Sequence, residues 1–208
     1  ILLGLVGSEM CIRDRLDEAI DMEMDAFLEN GELVVQVHVA NVGAGHAFPT
    51  GVSVRNALLH VQASANGQAL TQTSGPTIPF YGDDDVPGVQ EGDLAGQPGK
   101  GYARVLEGRI NGAGPVVRPV LFIDAENVYS DTRLASGETD MVELRFDISS
   151  AASAPIQIDA DLLYRRAWRA TVVSKGWTQT PAGGPIEINV ASMQRQVLAG
   201  GPVAIPVL

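Results

Sequence analysis

Histidine is the side chain best suited to ligate iron or to carry a proton near neutral pH, and this sequence has three, His38, His46 and His60. His46 has the most specific surroundings. It lies in Asn41-Val42-Gly43-Ala44-Gly45-His46-Ala47-Phe48-Pro49-Thr50-Gly51, where three Gly, one Pro and one His fall within nine residues, 43–51. Glycine admits backbone angles closed to other residues, and Pro49 fixes its own φ and restricts Phe48. Gly43, Gly45, Phe48, Pro49, Thr50 and Gly51 therefore read as a rigid corner that aims His46. A cis bond at Pro49 is not expected, since only about one X-Pro bond in twenty is cis. Gly45→Val is expected to cost about 1–3 kcal/mol where that glycine is left-handed or closely packed. His46 itself has two readings. A neutral imidazole on a rigid loop suits iron ligation. Alternatively, the ring hydrogen-bonds backbone carbonyls and holds the corner shut.

The other chemistry-bearing residues are less specific. His38 and His60 fall on the polar faces of what read as adjacent strands, a weak metal pair beside the simpler reading of exposed strand histidines. Asp83, Asp84, Asp85, Glu91 and Asp93 crowd one segment and are weak calcium candidates, because Ca²⁺ wants carboxylate and carbonyl oxygens. They lack the D-x-[DN]-x-[DN]-G spacing, so a solvated acidic loop is the plainer reading. Arg165, Arg166 and Arg169 with Trp168 form a candidate partner patch, unless the arginines pair with Asp159, Asp161 or loop acids. Gly43 and Gly45 begin no phosphate loop, which needs a third glycine and a following helix. No G-x-S-x-G elbow supports a hydrolase. No catalytic set is complete, and the chain is not expected to be an enzyme.

Strands must position these residues. Ile20, Met22, Met24 and Ala26 alternate with Asp21, Glu23 and Asp25, a half-buried strand by its period of two. Asn30-Gly31 reads as a hairpin turn. Val35, Val37 and Val39 then face one way, Gln36 and His38 the other. Beyond the corner, Leu59, Val61 and Ala63 alternate with His60 and Gln62. Asn66-Gly67 makes a second hairpin turn into 68–73. An irregular segment of about 74–101, rich in Gly, Pro and acids, is long enough to be functional or mobile. Strand character resumes at 102–107, 116–123, 142–148, 156–162 and 186–191. No helix has a convincing start, stop and apolar stripe. About eight or nine short strands with turns between them mean an all-β antiparallel sandwich, immunoglobulin-like or jelly-roll-like.

The ends read differently. Ile1 to Ser8 are apolar like a signal h-region, yet carry no initiating Met or basic start. Met10-Cys11-Ile12-Arg13-Asp14-Arg15 back-translates as ATG TGT ATA AGA GAC AGR, which resembles a transposon adaptor of sequencing libraries. Residues 1–15 are therefore expected to be translated adaptor read-through, 16–193 a single sandwich domain and 194–208 a flexible tail. On this expectation the open reading frame is a fragment truncated at its N-terminus. Cys11 is the only cysteine, so the remainder has no disulfide, no thiolate metal site and no covalent haem attachment of its own. The net charge is −11, which argues against nucleic acid and anionic membrane as partners. No apolar run approaches the roughly 18 residues of a transmembrane helix.

The run N-V-G-A-G-H-A-F-P-T-G resembles a motif in β-sandwich domains at the C-termini of multihaem c-type cytochromes and related extracytoplasmic bacterial proteins. Further pieces fit that pattern in the same order: G-D-L-A-G-Q-P-G-K at Gly92–Lys100, S-D-T-R-L at Ser130–Leu134, L-L-Y-R-R-A-W at Leu162–Trp168 and K-G-W at Lys175–Trp177. Together they reach from residue 30 to about 190. The resemblance implies haem c on C-x-x-C-H motifs upstream of the sandwich, and with it His46 as a distal axial ligand to a haem iron held by a neighbouring domain. It also implies a periplasmic or extracellular setting, and a haem-bearing domain or subunit as partner. Electron transfer would then belong to the parent protein and an accessory role to this chain. The alternative is a ligand-binding or adhesion module of a secreted bacterial protein, using the long loop.

Overall fold

The computed structural model describes residues 16, 18–82, 93–151, 154–181 and 183–198. Asp83, Asp84, Asp85 and Glu91, like segments 1–15 and 199–208, lie outside the described residues. The chain forms strands β1 (Ile20–Glu29), β2 (Glu32–Asn41), β3 (Asn56–Ala65), β4 (Gln68–Ala69), β5 (Gln72–Ser74), β6 (Gly99–Glu107), β7 (Asn127–Asp131), β8 (Thr139–Asp147), β9 (Pro155–Arg165) and β10 (Glu187–Leu198). They make two antiparallel sheets. One has the order β1-β2-β8-β5, the other β10-β9-β3-β6-β7, with β4 paired to the far end of β3. The fold is an all-β sandwich. Its strand order is that of the immunoglobulin type, A-B-E-D against G-F-C with extra strands beyond C. One departure is that β5, in the D place, precedes β6 and β7 in the chain.

Alternation explains the layers. Met22 and Met24 on β1, Val35, Val37 and Val39 on β2, and Leu144 and Phe146 on β8 are buried toward Leu59, Val61, Ile158 and Leu162 of the other sheet. Burying each such side chain stabilises by about 1.5–3 kcal/mol. A charge at Val37 or Leu144 would sit unpaired in that layer and break it. Both Asn-Gly hairpins form, with positive φ at Asn30 (53°), Gly31 (84°), Asn66 (54°) and Gly67 (75°). That left-handed pair matches the twist of the joined strands. One polar cluster ties the sheets: Lys100 Nζ and Tyr102 Oη of β6 donate to Asp140 Oδ2 of β8, at 2.6 and 2.9 Å.

A second, smaller core lies on the outer face of the β3-β6 sheet. Leu58, Ala103 and Val105 point outward there and are covered by Ile78, Tyr81 and Trp168. The long segment expected at 74–101 provides part of that cover and runs from Ser74 to Gly99. Its two limbs are zipped by the Ile78 N–H to the Gln97 carbonyl (2.9 Å) and the Gly96 N–H to the Ile78 carbonyl (2.9 Å).

Several elements differ from expectation. Residues 116–123 are not a strand: the Gly108–Val117 bridge is isolated, and a 3-10 turn spans Phe122–Asp124. Pro115 and Pro119 supply no N–H to a ladder, and apart from the buried Val120 the apolar residues of the run stay at the surface. Residues 68–73 split between the sheets, as β4 pairs β3 and β5 pairs β8. β7 shows no alternation because its residues are almost all exposed. A helix does form, Arg169–Lys175, ended by Gly176 at φ 63°; it has no side-chain N-cap and no fully buried residue to mark it. β10 runs on to Leu198, paired with Pro155, where a tail was expected from residue 194.

Candidate functional site

The corner is built on Asn41, the last residue of β2, which is 1% exposed. Its Nδ2 donates to the carbonyls of His46 (2.8 Å) and Leu134 (3.2 Å), and its Oδ1 accepts from the Ala44 N–H (3.1 Å). One buried amide thus closes the 41–46 turn and pins it to the chain before β8. Phe48 continues the attachment through paired backbone bonds with Leu134, 2.8 and 2.9 Å. The Phe48 ring packs 6.1 Å from that of Tyr164 on β9. Phe48–Pro49 is cis, contrary to expectation. The glycines separate by surroundings. A Cβ on Gly43 would come 2.3 Å from the Glu18 carbonyl oxygen, whereas one on Gly45 would meet nothing within 4 Å. Gly45 is neither left-handed nor closely packed, so the cost expected for Gly45→Val does not apply.

His46 is exposed. Its carbonyl, not its ring, joins the brace. Among the described residues the imidazole makes no hydrogen bond or ion pair, so the reading in which the ring shuts the corner is replaced by one in which Asn41 does. The ring lines a cleft of about 510 Å³ shared with Leu16, Glu18, Phe48, Arg55 and Tyr164. Arg55 donates to the Thr50 carbonyl at 3.3 Å, and Tyr164 lines the same cleft beside it. Burial pushes the Tyr164 phenol up, and the nearby Arg55 and Arg166 charges oppose that.

A second groove lies across the 51–54 turn, lined by Gly51, Val52, Leu106, Phe122 and Val128. Its surroundings are unusually apolar for a surface. Phe122 and Ile123 are each 70% exposed, and Val116, Leu121, Val128 and Tyr129 are exposed beside them. Arg118 stacks 4.0 Å above the Tyr129 ring.

The remaining candidates do not converge. His38 on β2 and His60 on β3 belong to different sheets and point outward on opposite faces, so they are not a metal pair. The expected adjacency fails because the corner carries the chain from one sheet to the other. His60 Nε2 is buried without a hydrogen-bond partner among the described residues. Burial lowers its pKa, and Asp161, opposite it on β9, works the other way. Asp93 is occupied by the Arg169 guanidinium, and the other four acids lie outside the described residues. Among the described residues no cluster of three His, Cys, Asp or Glu could hold a metal. Arg165, Arg166 and Trp168 do not form an open patch with Arg169. Arg165 is 2% exposed and pairs with Glu187 at 2.6 Å, while Trp168 is 3% exposed and packs 5.3 Å from Tyr81. Asn41, Arg55 and Tyr164 are the site residues that sequence reasoning missed. Asn41 immediately before a Gly-rich turn was the available signal.

Comparison with family models and with curated proteins gave no match. Among solved structures, the fold is similar to that of a penta-heme cytochrome c552 from Thermochromatium tepidum, with 21% identity and a TM-score of 0.61. The likeness covers 89% of this chain and 41% of that one, so this chain spans less than half of the cytochrome's length. At that identity the likeness is one of fold.

Proposed function

We propose that this chain is a non-catalytic accessory sandwich of a multihaem-cytochrome-like electron-transfer protein, working outside the cytoplasm. The observation that carries this reading is the pairing of two features on one side of the molecule. An exposed, braced imidazole opens onto a cleft, and a groove carrying the exposed Phe122 and Val128 adjoins it across the 51–54 turn. The groove suits packing against a haem-bearing domain or subunit. The sequence motifs of the corner and the fold likeness to a penta-heme cytochrome support the same partner.

The chain's residues do not suit covalent haem attachment, since Cys11 is the only cysteine and no C-x-x-C-H is present. They do suit axial ligation of a haem anchored elsewhere, because the His46 ring is exposed and its backbone is fixed from behind. A haem in that position would supply one-electron transfer. The sandwich would fix the imidazole's orientation and cover one side of the haem from water. No helix among the described residues is long and apolar enough to cross a membrane.

The test is the parent protein expressed with haem maturation, with and without His46→Ala. A changed Soret band or reduction potential is expected, because axial ligation sets spin state and potential. Unchanged spectra would remove the ligand role. A parent without any C-x-x-C-H motif would overturn the cytochrome reading. A second reading, a ligand-binding module of a secreted protein, is favoured by a groove of about 520 Å³ under Trp177, Gln179 and Pro181, where Trp177 is half exposed. A glycosidase or protease domain in the parent would support it.

A further inference from the structure

We propose that Arg55 and Tyr164, in the cleft behind His46, form a binding site for a carboxylate. The inference rests on the reading of this cleft as a face turned toward a partner, and it adds the chemistry that the partner presents. In an acidic chain, nearby arginines are already paired. Arg104, Arg109, Arg118 and Arg133 each have a carboxylate within 3.9 Å. Arg55 is half-buried in the cleft wall, and the hydrogen bond it makes goes to a neutral oxygen, the Thr50 carbonyl. Among the described residues it has no carboxylate partner. A guanidinium held this way keeps donors for a planar bidentate anion.

The corner makes room for that guanidinium. Gly51 has φ +91°, and a Cβ there would come 2.8 Å from Arg55 Nη1. The motif glycine thus clears the space the arginine uses. Tyr164 is fixed by the Phe48 ring and adds a hydroxyl beside it. Glu18 also lines the cleft and makes no ion pair with Arg55. The two carboxylate sources of the right chemistry are a haem propionate, brought in with the iron that His46 would face, and an acidic side chain of the partner.

The experiment titrates the purified chain with glutarate, ferric protoporphyrin IX and its dimethyl ester. Binding is followed by the Soret band and by the Arg55 Nε–Hε resonance. Glutarate is expected to shift that resonance saturably, while chloride at equal ionic strength does not. Arg55→Gln should abolish the shift, and Arg55→Lys should weaken it, since it keeps the charge but loses the fork. Tyr164→Phe should weaken it less. The diacid binding at least about tenfold tighter than the ester, with the preference lost in Arg55→Gln, would assign the carboxylate to a propionate. Saturable glutarate binding without that preference would assign it to an acidic side chain. Absence of a saturable glutarate shift, together with equal binding of diacid and ester, overturns the proposal. If Arg55→Gln does not fold, Arg55→Lys and Tyr164→Phe decide, and loss in neither contradicts it. Failure here would leave the Soret response of the parent His46→Ala variant untouched, so the two readings fail separately.

Discussion

The side-chain amide of Asn41 donates to the backbone carbonyl of His46 at 2.8 Å. It reaches Leu134 with the same group and Ala44 with its oxygen. A buried residue thus shapes the loop that an exposed residue decorates. The division of labour matters for function. The imidazole is oriented by its backbone, and its nitrogens are not spent on holding the turn together.

Gly43 and Gly45 should behave as opposites although they are two residues apart. Gly43→Ala places a methyl group against the Glu18 backbone and should cost about 1–3 kcal/mol, as overpacking does. Gly45→Ala meets open space and should change stability by no more than about 0.5 kcal/mol. Denaturant melts of the two variants check this. The reverse order would contradict the geometry of the corner.

Tyr102 and Asp140 should be energetically coupled. Burial first, then the Asp140 charge and hydrogen bond, push the Tyr102 phenol far above its ordinary range, so it remains a donor at every working pH. Tyr102→Phe should cost about 1 kcal/mol, the usual net worth of a buried hydrogen bond. A double-mutant cycle with Asp140→Ala should return a coupling of about 0.5–3 kcal/mol. A coupling of zero would mean that the inter-sheet tie contributes nothing.

His60 should make the fold sensitive to mild acid. Its folded pKa lies below the ordinary 6.5 because burial disfavours the imidazolium. The unfolded chain therefore binds the proton more readily. Stability is full above pH 6.5 and falls as pH drops from there toward the lowered folded pKa. Thermal melts between pH 7.5 and 5 should show this decline, with a smaller decline for His60→Gln. Identical pH profiles for the two proteins would refute it.

Much of this fold is legible in the sequence where burial is one-sided. Val35, Val37 and Val39 alternate with Gln36 and His38 because at these positions one face of β2 meets the core and the other is only half-buried. The two Asn-Gly turns are legible because few residues tolerate their φ. Legibility fails where a strand is covered on both faces or on neither. Leu58 beside Leu59 hides the second core, and β7 carries no pattern because little of it is buried. At residues 116–123 an apolar run reads as a strand, although it is a surface element without a ladder. At the site, His46 and its glycines stand out by type. The brace does not, because Asn41 acts through contacts with Ala44 nearby and with Leu134, 93 positions away. Arg55 carries no sequence signal, since lack of a carboxylate partner is a property of the folded neighbourhood.

The most direct measurement compares Asn41→Ala with His46→Ala in equilibrium unfolding of the isolated chain. Asn41→Ala takes the Asn41 amide from the His46 carbonyl and the Ala44 N–H, leaves the Leu134 carbonyl with the Phe48 N–H alone, and should cost about 1–3 kcal/mol. His46→Ala removes an exposed ring with no hydrogen bond among the described residues, and should cost no more than about 0.5 kcal/mol. A large loss for His46→Ala alongside a small one for Asn41→Ala would contradict the account. It would mean that the ring holds the corner and is not available to a partner.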